Sequence, residues 1–302
     1  MKGLADTPAD GRRQGKTSWW WTAIRLRTLS MAAVPVLVGS TLAWAEGAPI
    51  AWATFLATLL CALSIQVGTN LFNDVGDAAR GNDGPDRIGP QRVTAAGLAS
   101  PRQVKHAAIY SYAVALLLGG YLVSVGGWAI LALGLASLFA GWAYSSGPRP
   151  LSYTPWGEVA VVVFFGIAAV AGSHYLQSGG FTASAVLTGL VLGAPAAAVL
   201  LVNNVRDFDA DRRVGRSTLA VLLGPLKARW LYLLLMCIPF LLLPLMGHPA
   251  VVWTAMPALL LFLWLSWRFL RREGAEWLNG QLAHTAQAQL LLGLLLCIGL
   301  LW

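Results

Sequence analysis

The chain has 302 residues, 57% of them hydrophobic and only 11% charged, with a mean hydropathy of +0.64. A soluble domain needs more polar side chains than this to cover its surface, so the composition excludes one and requires an integral membrane protein. The formal net charge of +8 invites a nucleic-acid partner, but the basic residues sit at the ends of apolar segments, where topology and anionic lipid account for them, and no nucleic acid is expected.

In chain order, residues 1–17 are polar and rich in Gly, Pro, Asp and Lys/Arg, and read as a disordered cytoplasmic tail. Residues 18–302 read as a single membrane domain. Trp19, Trp20 and Trp21 suit the headgroup level and predict an interfacial lead-in helix. The Ala43-Trp44-Ala45 spacing imitates a signal-peptide cleavage site, but the leader would be long and broken at Pro35, so an uncleaved first span is expected. Roughly 17 to 25 apolar residues suffice to cross a bilayer as a helix. Nine such segments occur, at about 29–45, 51–73, 106–124, 127–145, 157–176, 182–204, 229–246, 249–268 and 283–302. With the N-terminus in the cytoplasm, all 21 Lys and Arg fall on one side, and nine spans leave the C-terminus on the other.

The second span runs into QVGTNLFNDVGDAARGNDGPDRIGPQR, Gln66 to Arg92. Asn73 and Asp77 are four apart, as are Gln66 and Asn70, and Asn70 and Asp74, so each pair shares a helix face. Asn70, Asn73, Asp74 and Asp77 over two turns are too costly to set against lipid without partners. Gln66 alone has two readings, a bond between helices or a cavity contact. Beyond the span come Asp83, Asp86, Arg87 and Arg92 in a long loop, 78–103, of the length that lids and binding loops have. The cytoplasmic cap loops are expected near 74–105, 145–157 and 205–228. The second supplies Tyr144, Arg149, Tyr153 and Glu158.

The sixth span ends in NNVRDFDADRRVGRSTL, which repeats the logic: Asn203, Asp207 and Asp211 stand at successive i, i+4 steps, with Arg206 and Arg216 nearby. Two N-x-x-x-D clusters facing each other across a cavity offer hard oxygen ligands for Mg²⁺, and the arginines offer guanidinium groups for a polyphosphate. The remaining spans carry no interior charge and read as scaffold or as lining for a lipid chain. Cys61, Cys237 and Cys297 lie in apolar spans without metal-ligand spacing, and the four histidines are scattered, so neither type is assigned a role.

The runs NDVGDAARGNDGPDRIGPQR, YSSGPRP and NNVRDFDADRRVGRSTLAVLLG, in that order and at the ends of the second, fourth and sixth spans, resemble the UbiA superfamily of membrane prenyltransferases, and its naphthoate branch most of all. The resemblance covers about residues 18–302. It implies an all-α membrane fold, nine helices around a central cavity, with Mg²⁺ held by Asn73, Asp77, Asn203, Asp207 and Asp211, of which Asp77 and Asp207 are essential to catalysis. Asn70, Asp74, Arg92, Arg149 and Arg206 are then expected at the diphosphate, and Arg25, Gln66 and Tyr144 at the acceptor. The first motif departs from the wider pattern in having Gly81 where many members carry Asp, which makes Asp83 a candidate further ligand. Leu26 departs from the family's R-P-x-T-L stretch, and Arg25 can equally be a positive-inside anchor.

The activity implied is transfer of a polyprenyl group from polyprenyl diphosphate to an aromatic acid, 1,4-dihydroxy-2-naphthoate, with loss of CO₂ and diphosphate, in the cytoplasmic (inner) membrane. Relatives that use 4-hydroxybenzoate or homogentisate supply a second reading of the acceptor. An intramembrane cation transporter is a rival from another class, but the acids lie at the ends of spans and come with arginines, which suits a phosphate better.

Overall fold

The computed structural model describes residues 18–83, 88–90, 92–272, 274 and 276–302; the expected tail at 1–17 and the loop residues Asp86 and Arg87 lie outside the described residues. Among these residues there are helices and no strands. Eight helices among the described residues are long and apolar enough to cross a membrane, and the chain is an integral membrane protein.

Helix α1 (Ser18–Ile24) leads into α2 (Leu26–Ala45) through Arg25, whose φ of 57° and ψ of 61° are left-handed. It is the one non-glycine residue with positive φ among those described, a conformation that costs an L-residue roughly 1–2 kcal/mol and must be held by its surroundings. Helix α3 (Trp52–Ala79) has 28 residues. At 1.5 Å each it is about 42 Å long, against a hydrocarbon core of about 30 Å, so a stretch of it must stand outside the apolar layer.

Helix α4 (Pro101–Ser145) begins with a reciprocal cap, Ser100 Oγ accepting from Gln103 N while the Gln103 side chain accepts from Ser100 N. Its 45 residues are interrupted at Gly127 (φ 64°, ψ −152°), a backbone setting that favours glycine. The element folds back there. The Tyr112 hydroxyl bonds Thr69 Oγ1 at 3.0 Å, and a Cβ on Gly141 would collide with both oxygens. In one straight helix, residues 112 and 141 would stand about 43 Å apart. The nine spans expected from the sequence are therefore not nine separate helices; the third and fourth are the two limbs of α4, joined without a loop.

Helix α5 (Gly157–Ser178) contains a wider π-helical stretch at Val162–Ala168, and α6 (Ala183–Arg206) crosses it closely. A Cβ on Gly166 would meet the Gly189 carbonyl and Gly193 Cα, and one on Gly189 would meet Ile167 Cα. Small residues let helix backbones touch, which in lipid supplies packing energy that burial from water cannot. Two short helices, α7 (Phe208–Arg213) and α8 (Leu219–Leu223), connect α6 to α9 (Pro225–Leu242), α10 (Pro249–Arg271) and α11 (Leu278–Leu300). The main core gathers Val38 and Leu42 of α2, Leu192 and Leu201 of α6, Tyr232 and Met236 of α9, Phe262 and Phe269 of α10, and Leu292 and Leu296 of α11. At the end of the bundle away from the acidic clusters, Gln177 Oε1 accepts from Ala51 N at 2.8 Å, and His174 Nε2 lies 2.7 Å from Glu46 Oε2, tying α5 to α3 and to the end of α2.

Gly166→Ala is expected to lower the thermal midpoint of the detergent-solubilised protein, by the roughly 1–3 kcal/mol of an overpacked site. Gly280→Ala, which meets nothing within 4 Å, is the control. Equal midpoints for the two variants would show that the α5–α6 crossing does not need Gly166.

Candidate active site

The helices enclose a cavity of about 1500 Å³. Most of its wall is apolar, with Leu138 of α4, Phe164, Phe165 and Leu176 of α5 and Leu290 of α11 among its linings. Its polar residues include Asn73, Asp77, Arg92, Asn203, Arg206, Asp207 and Arg216. These come from the C-terminal ends of α3 and α6 and the segments that follow them, so the two clusters expected from the sequence meet at one end of one cavity.

They are joined by arginines. Asp77 Oδ1 accepts from Arg216 Nη2 at 2.5 Å and from Asn82 Nδ2 at 3.1 Å, and its Oδ2 accepts from Arg92 Nη2 at 2.7 Å. Arg92 Nη2 also reaches Asn73 Oδ1 at 3.2 Å. On the other side, Arg206 grips Asp207 with two donors, Nε at 2.8 Å and Nη2 at 2.7 Å, and donates from Nη2 to Asn203 Oδ1 at 2.8 Å. Arg216 spans the two clusters: its Nη1 donates to Asp211 Oδ1 at 3.1 Å, and its guanidinium lies over the Tyr153 ring, 4.6 Å from the centroid. Burial works against the charge of Arg216, but Asp77 and Asp211 outweigh it and keep the guanidinium firmly protonated. Burial pushes the Asp211 carboxyl up to about 6 against the pull of Arg216.

Several expected site residues are engaged by other parts of the chain or lie outside the cavity lining. Asn70 lines the cavity, but its Nδ2 donates to Ile24 O at 3.0 Å and to Thr28 Oγ1 at 3.3 Å, so it holds the bend at Arg25. Asp74 is also committed: its two oxygens accept the backbone N–H groups of Val93 and Thr94 at 3.1 and 3.0 Å. Val93 is fully buried among Ala23, Leu71, Ala99, Val104 and Ala108, so Asp74, which also lines the cavity, braces the first cap loop. Asp211, Asp83 and Arg149 are not among the cavity linings. Asp211 pairs with Arg216, Asp83 Oδ1 lies 3.8 Å from Arg92 Nε, and Arg149 is exposed. Arg25, Gln66 and Tyr144 all line the cavity.

Asn279, at the start of α11, was not singled out by the sequence reading. Its Oδ1 accepts from Arg206 Nη1 at 2.9 Å and its Nδ2 donates to Ile88 O at 2.9 Å, joining the second cluster to the first cap loop. A lone asparagine 73 residues beyond its partner leaves no periodic signal. Asn82 and Tyr153, linked at 2.7 Å behind Asp77, are loop residues whose pairing exists only in the fold.

Among the described residues no three His, Cys, Asp or Glu side chains stand together as a metal site. Mg²⁺ is held by one or two carboxylates plus substrate phosphates rather than by a cage of protein acids, and Asn73 with Asp77, and Asn203 with Asp207, offer hard oxygens at the cavity. The arginines now on those oxygens show that the site attracts positive charge.

An apolar cavity inside a membrane bundle, with two acid-and-arginine clusters at one end, is the arrangement of a membrane-embedded prenyltransferase. The UbiA prenyltransferase family profile matches residues 32–278, and the chain belongs to that family. It is 38% identical over 220 residues, 71% of each chain, to a 1,4-dihydroxy-2-naphthoate octaprenyltransferase of Escherichia coli (strain K12). With the enzyme of that name from Haemophilus influenzae it shares 32% over 303 residues, 95% of this chain and 96% of the other. Two solved structures establish the fold. The apo structure of a UbiA homolog from Aeropyrum pernix K1 superposes with a TM-score of 0.69 at 17% identity, covering 90% of this chain and 96% of that one. A UbiA homolog from Archaeoglobus fulgidus, bound to DMAPP and Mg²⁺, gives 0.63 at 15% identity, covering 92% and 98%.

Removing one partner of a buried ion pair costs about 3–5 kcal/mol, because the other charge is left unpaired. Asp77 and Arg92 are each 7% exposed at the side chain, whereas Asp207 is 21% exposed. Asp77→Ala is therefore expected to lower the thermal midpoint of the metal-free protein more than Asp207→Ala does. The reverse order in a melting series would contradict this account of the site.

Proposed function

We propose that this protein transfers a polyprenyl group from a polyprenyl diphosphate to 1,4-dihydroxy-2-naphthoate, in a Mg²⁺-dependent reaction that releases diphosphate and CO₂ and gives demethylmenaquinol for menaquinone biosynthesis. The observation that carries the reading is the meeting of Asp77 and Asp207, with Arg92, Arg206 and Arg216, at one end of an apolar cavity. The naphthoate acceptor is supported by the names of relatives at 32–38% identity, and the diphosphate and Mg²⁺ by the ligands of the Archaeoglobus fulgidus homologs. Residues 18–302 are proposed to form a single membrane domain. The clusters are proposed to face the cytoplasm, with the C-terminus on the far side of the inner membrane.

In this mechanism Asn73, Asp77, Asn203 and Asp207 would hold Mg²⁺, which when bound supplies positive charge to the departing diphosphate. Arg92, Arg206 and Arg216 would exchange carboxylate oxygens for diphosphate oxygens, a partner their guanidinium geometry suits equally well. The anionic head is thereby fixed at the polar end, and the prenyl chain would lie along Phe164, Phe165 and Leu138. The C–O bond breaks with its pair on oxygen, leaving an allylic cation, and the apolar wall keeps water from quenching it before the ring attacks. Arg25, held in place by Asn70, is proposed to pair with the acceptor carboxylate, since an unpaired charge in such a cavity is costly. Asp74 and Asp211 are proposed as supports, one for the cap loop and one for Arg216.

Asp77→Asn and Asp207→Asn keep the volume of each side chain and lose its charge. Each is expected to lower turnover by about 100-fold or more. Turnover is also expected to vanish in excess chelator and return with Mg²⁺. Assay of the purified protein with a prenyl diphosphate and the naphthoate, with mass analysis of products, tests both; undiminished activity in either variant would remove the two-cluster site. Arg25→Gln should raise the acceptor KM several-fold and leave the diphosphate KM unchanged. Equal weakening towards both substrates would place Arg25 at the diphosphate instead.

A further inference from the structure

Two consecutive asparagines close α6, and one step along a helix turns a side chain by about 100°. Asn203 joins Arg206 and Asp207, whereas Asn204 reaches the start of α5, where its Nδ2 donates to Glu158 Oε1 at 2.9 Å. Glu158 is only 4% exposed, and the chemistry proposed above does not use it. Its Oε2 is buried without a hydrogen-bond partner among the described residues. An ionised carboxylate orients an amide only one way, because it can only accept and so takes the nitrogen. The Asn204 carbonyl is thus turned away from Glu158. Asn204 itself lines the cavity, as do Tyr144 and Ser152. Its Oδ1 makes no hydrogen bond among the described residues and is not among their enclosed polar atoms.

We propose that Asn204 Oδ1, oriented by Glu158, accepts a hydrogen bond from a ring hydroxyl of the aromatic acceptor. Asn204 is then a specificity residue that touches substrate, and Glu158 a positioning residue that acts through it. The inference rests on the prenyl-transfer reading and adds to it the part of the acceptor that Arg25 does not recognise. Arg25 and Asn204 line the same cavity from the bend before α2 and from α6, so the carboxylate and the hydroxyl are read by different elements.

The bond serves the reaction as well as the fit. Once the C–O bond has broken with its pair on the diphosphate oxygen, a ring π pair forms the new C–C bond to the allylic cation. Positive charge then develops on the ring and its hydroxyl, and a fixed carbonyl dipole at that hydroxyl stabilises it. The ring is restored when the group on the attacked carbon leaves without its bonding pair, as a proton or, from a carboxylate, as CO₂. No proton passes to Asn204, and Glu158 keeps its protonation state. A bare interhelical bond of the kind common in membranes would stabilise the α5–α6 pair and leave acceptor selectivity untouched.

The test uses the purified full-length protein with Mg²⁺, a prenyl diphosphate, the hydroxylated naphthoate and its two mono-methyl ethers, which cannot donate from the blocked oxygen. The unaltered protein is expected to disfavour one ether by about tenfold in kcat/KM, the size of one lost hydrogen bond. Asn204→Leu should abolish that preference by raising the KM of the hydroxylated acid about tenfold, with the prenyl diphosphate KM unchanged. Asn204→Ser, which is too short to keep the contact, supplies the same comparison if the leucine variant does not insert. Glu158→Leu should behave as Asn204→Leu does, and Glu158→Gln, whose amide oxygen can still accept from Asn204, should recover what the leucine loses. An unchanged preference in the Asn204 variants, or a Glu158→Leu variant that melts lower with the same acceptor KM, overturns the inference while leaving prenyl transfer intact. No turnover of any acceptor by the unaltered protein overturns the proposed function, and this inference with it.

Discussion

Arg216 and Asp77 are 139 residues apart in the chain and meet at 2.5 Å where α3 ends. Each carries a charge that an apolar bundle cannot leave unpaired, and neither has a partner of opposite sign only in its own segment. Arg216 also holds Asp211 and stacks on Tyr153, while Asp77 also holds Arg92 from the first cap loop. Three connecting segments that would otherwise be independent surface loops are therefore drawn to one point. The same point is where Arg206, Asn203 and Asp207 gather, with Asn279 tying them back to the first loop at Ile88. The polar end of the molecule is two ion-paired groups, one around Asp77 and Arg216 and one around Asp207 and Arg206, drawn from α3, α6, α11 and the cap segments.

The apolar part solves a different problem, keeping a space open inside a membrane bundle. Close packing on one side of the cavity makes room on the other. Gly166, Gly189 and Gly193 bring α5 and α6 into backbone contact, and α5 takes up its π-helical stretch at the same level, with Phe164 and Phe165 on the cavity wall. π-helical turns recur at functional sites because an extra residue in the turn re-aims the side chains around it. The reversal at Gly127 lets the two limbs of α4 lie beside α3, as the contact of Tyr112 with Thr69 and Gly141 requires. Together with the lead-in bend at Arg25, pinned by Asn70, these features place side chains of unlike chemistry around one opening.

Much of this was legible from residues alone, and the limits are instructive. The pairs Asn73/Asp77 and Asn203/Asp207 were readable because helical period fixes which side chains share a face, whatever the helix packs against. Asn70 and Asp74 obeyed the same period, yet they bind Ile24 O and the N–H groups of Val93 and Thr94. Period says that a side chain faces inward, and it is silent on what stands opposite. Arg149 was expected at the diphosphate and Arg216 was not, though both are arginines in polar loops; the first is exposed and the second lines the cavity. Hydropathy separated the limbs of α4 and could not tell that no loop divides them, since Gly126-Gly127 is apolar by composition and a turn by geometry.

What the sequence by itself determined was whatever depends on composition and on local repeat: a membrane protein, the apolar segments and their ends, and two acid clusters placed where helices leave the hydrocarbon layer. Those follow from solvation and from 3.6 residues per turn, which act on a segment without reference to the others. Only the tertiary structure decided that Arg216 links both clusters, that Asn279 and Asn82 complete them, and that Asn204 turns to Glu158 while Asn203 does not. Each of those is a contact between segments far apart in the chain. Its partner is chosen by how the helices pack and by the demand that every buried charge find an opposite one, and no local pattern carries that information.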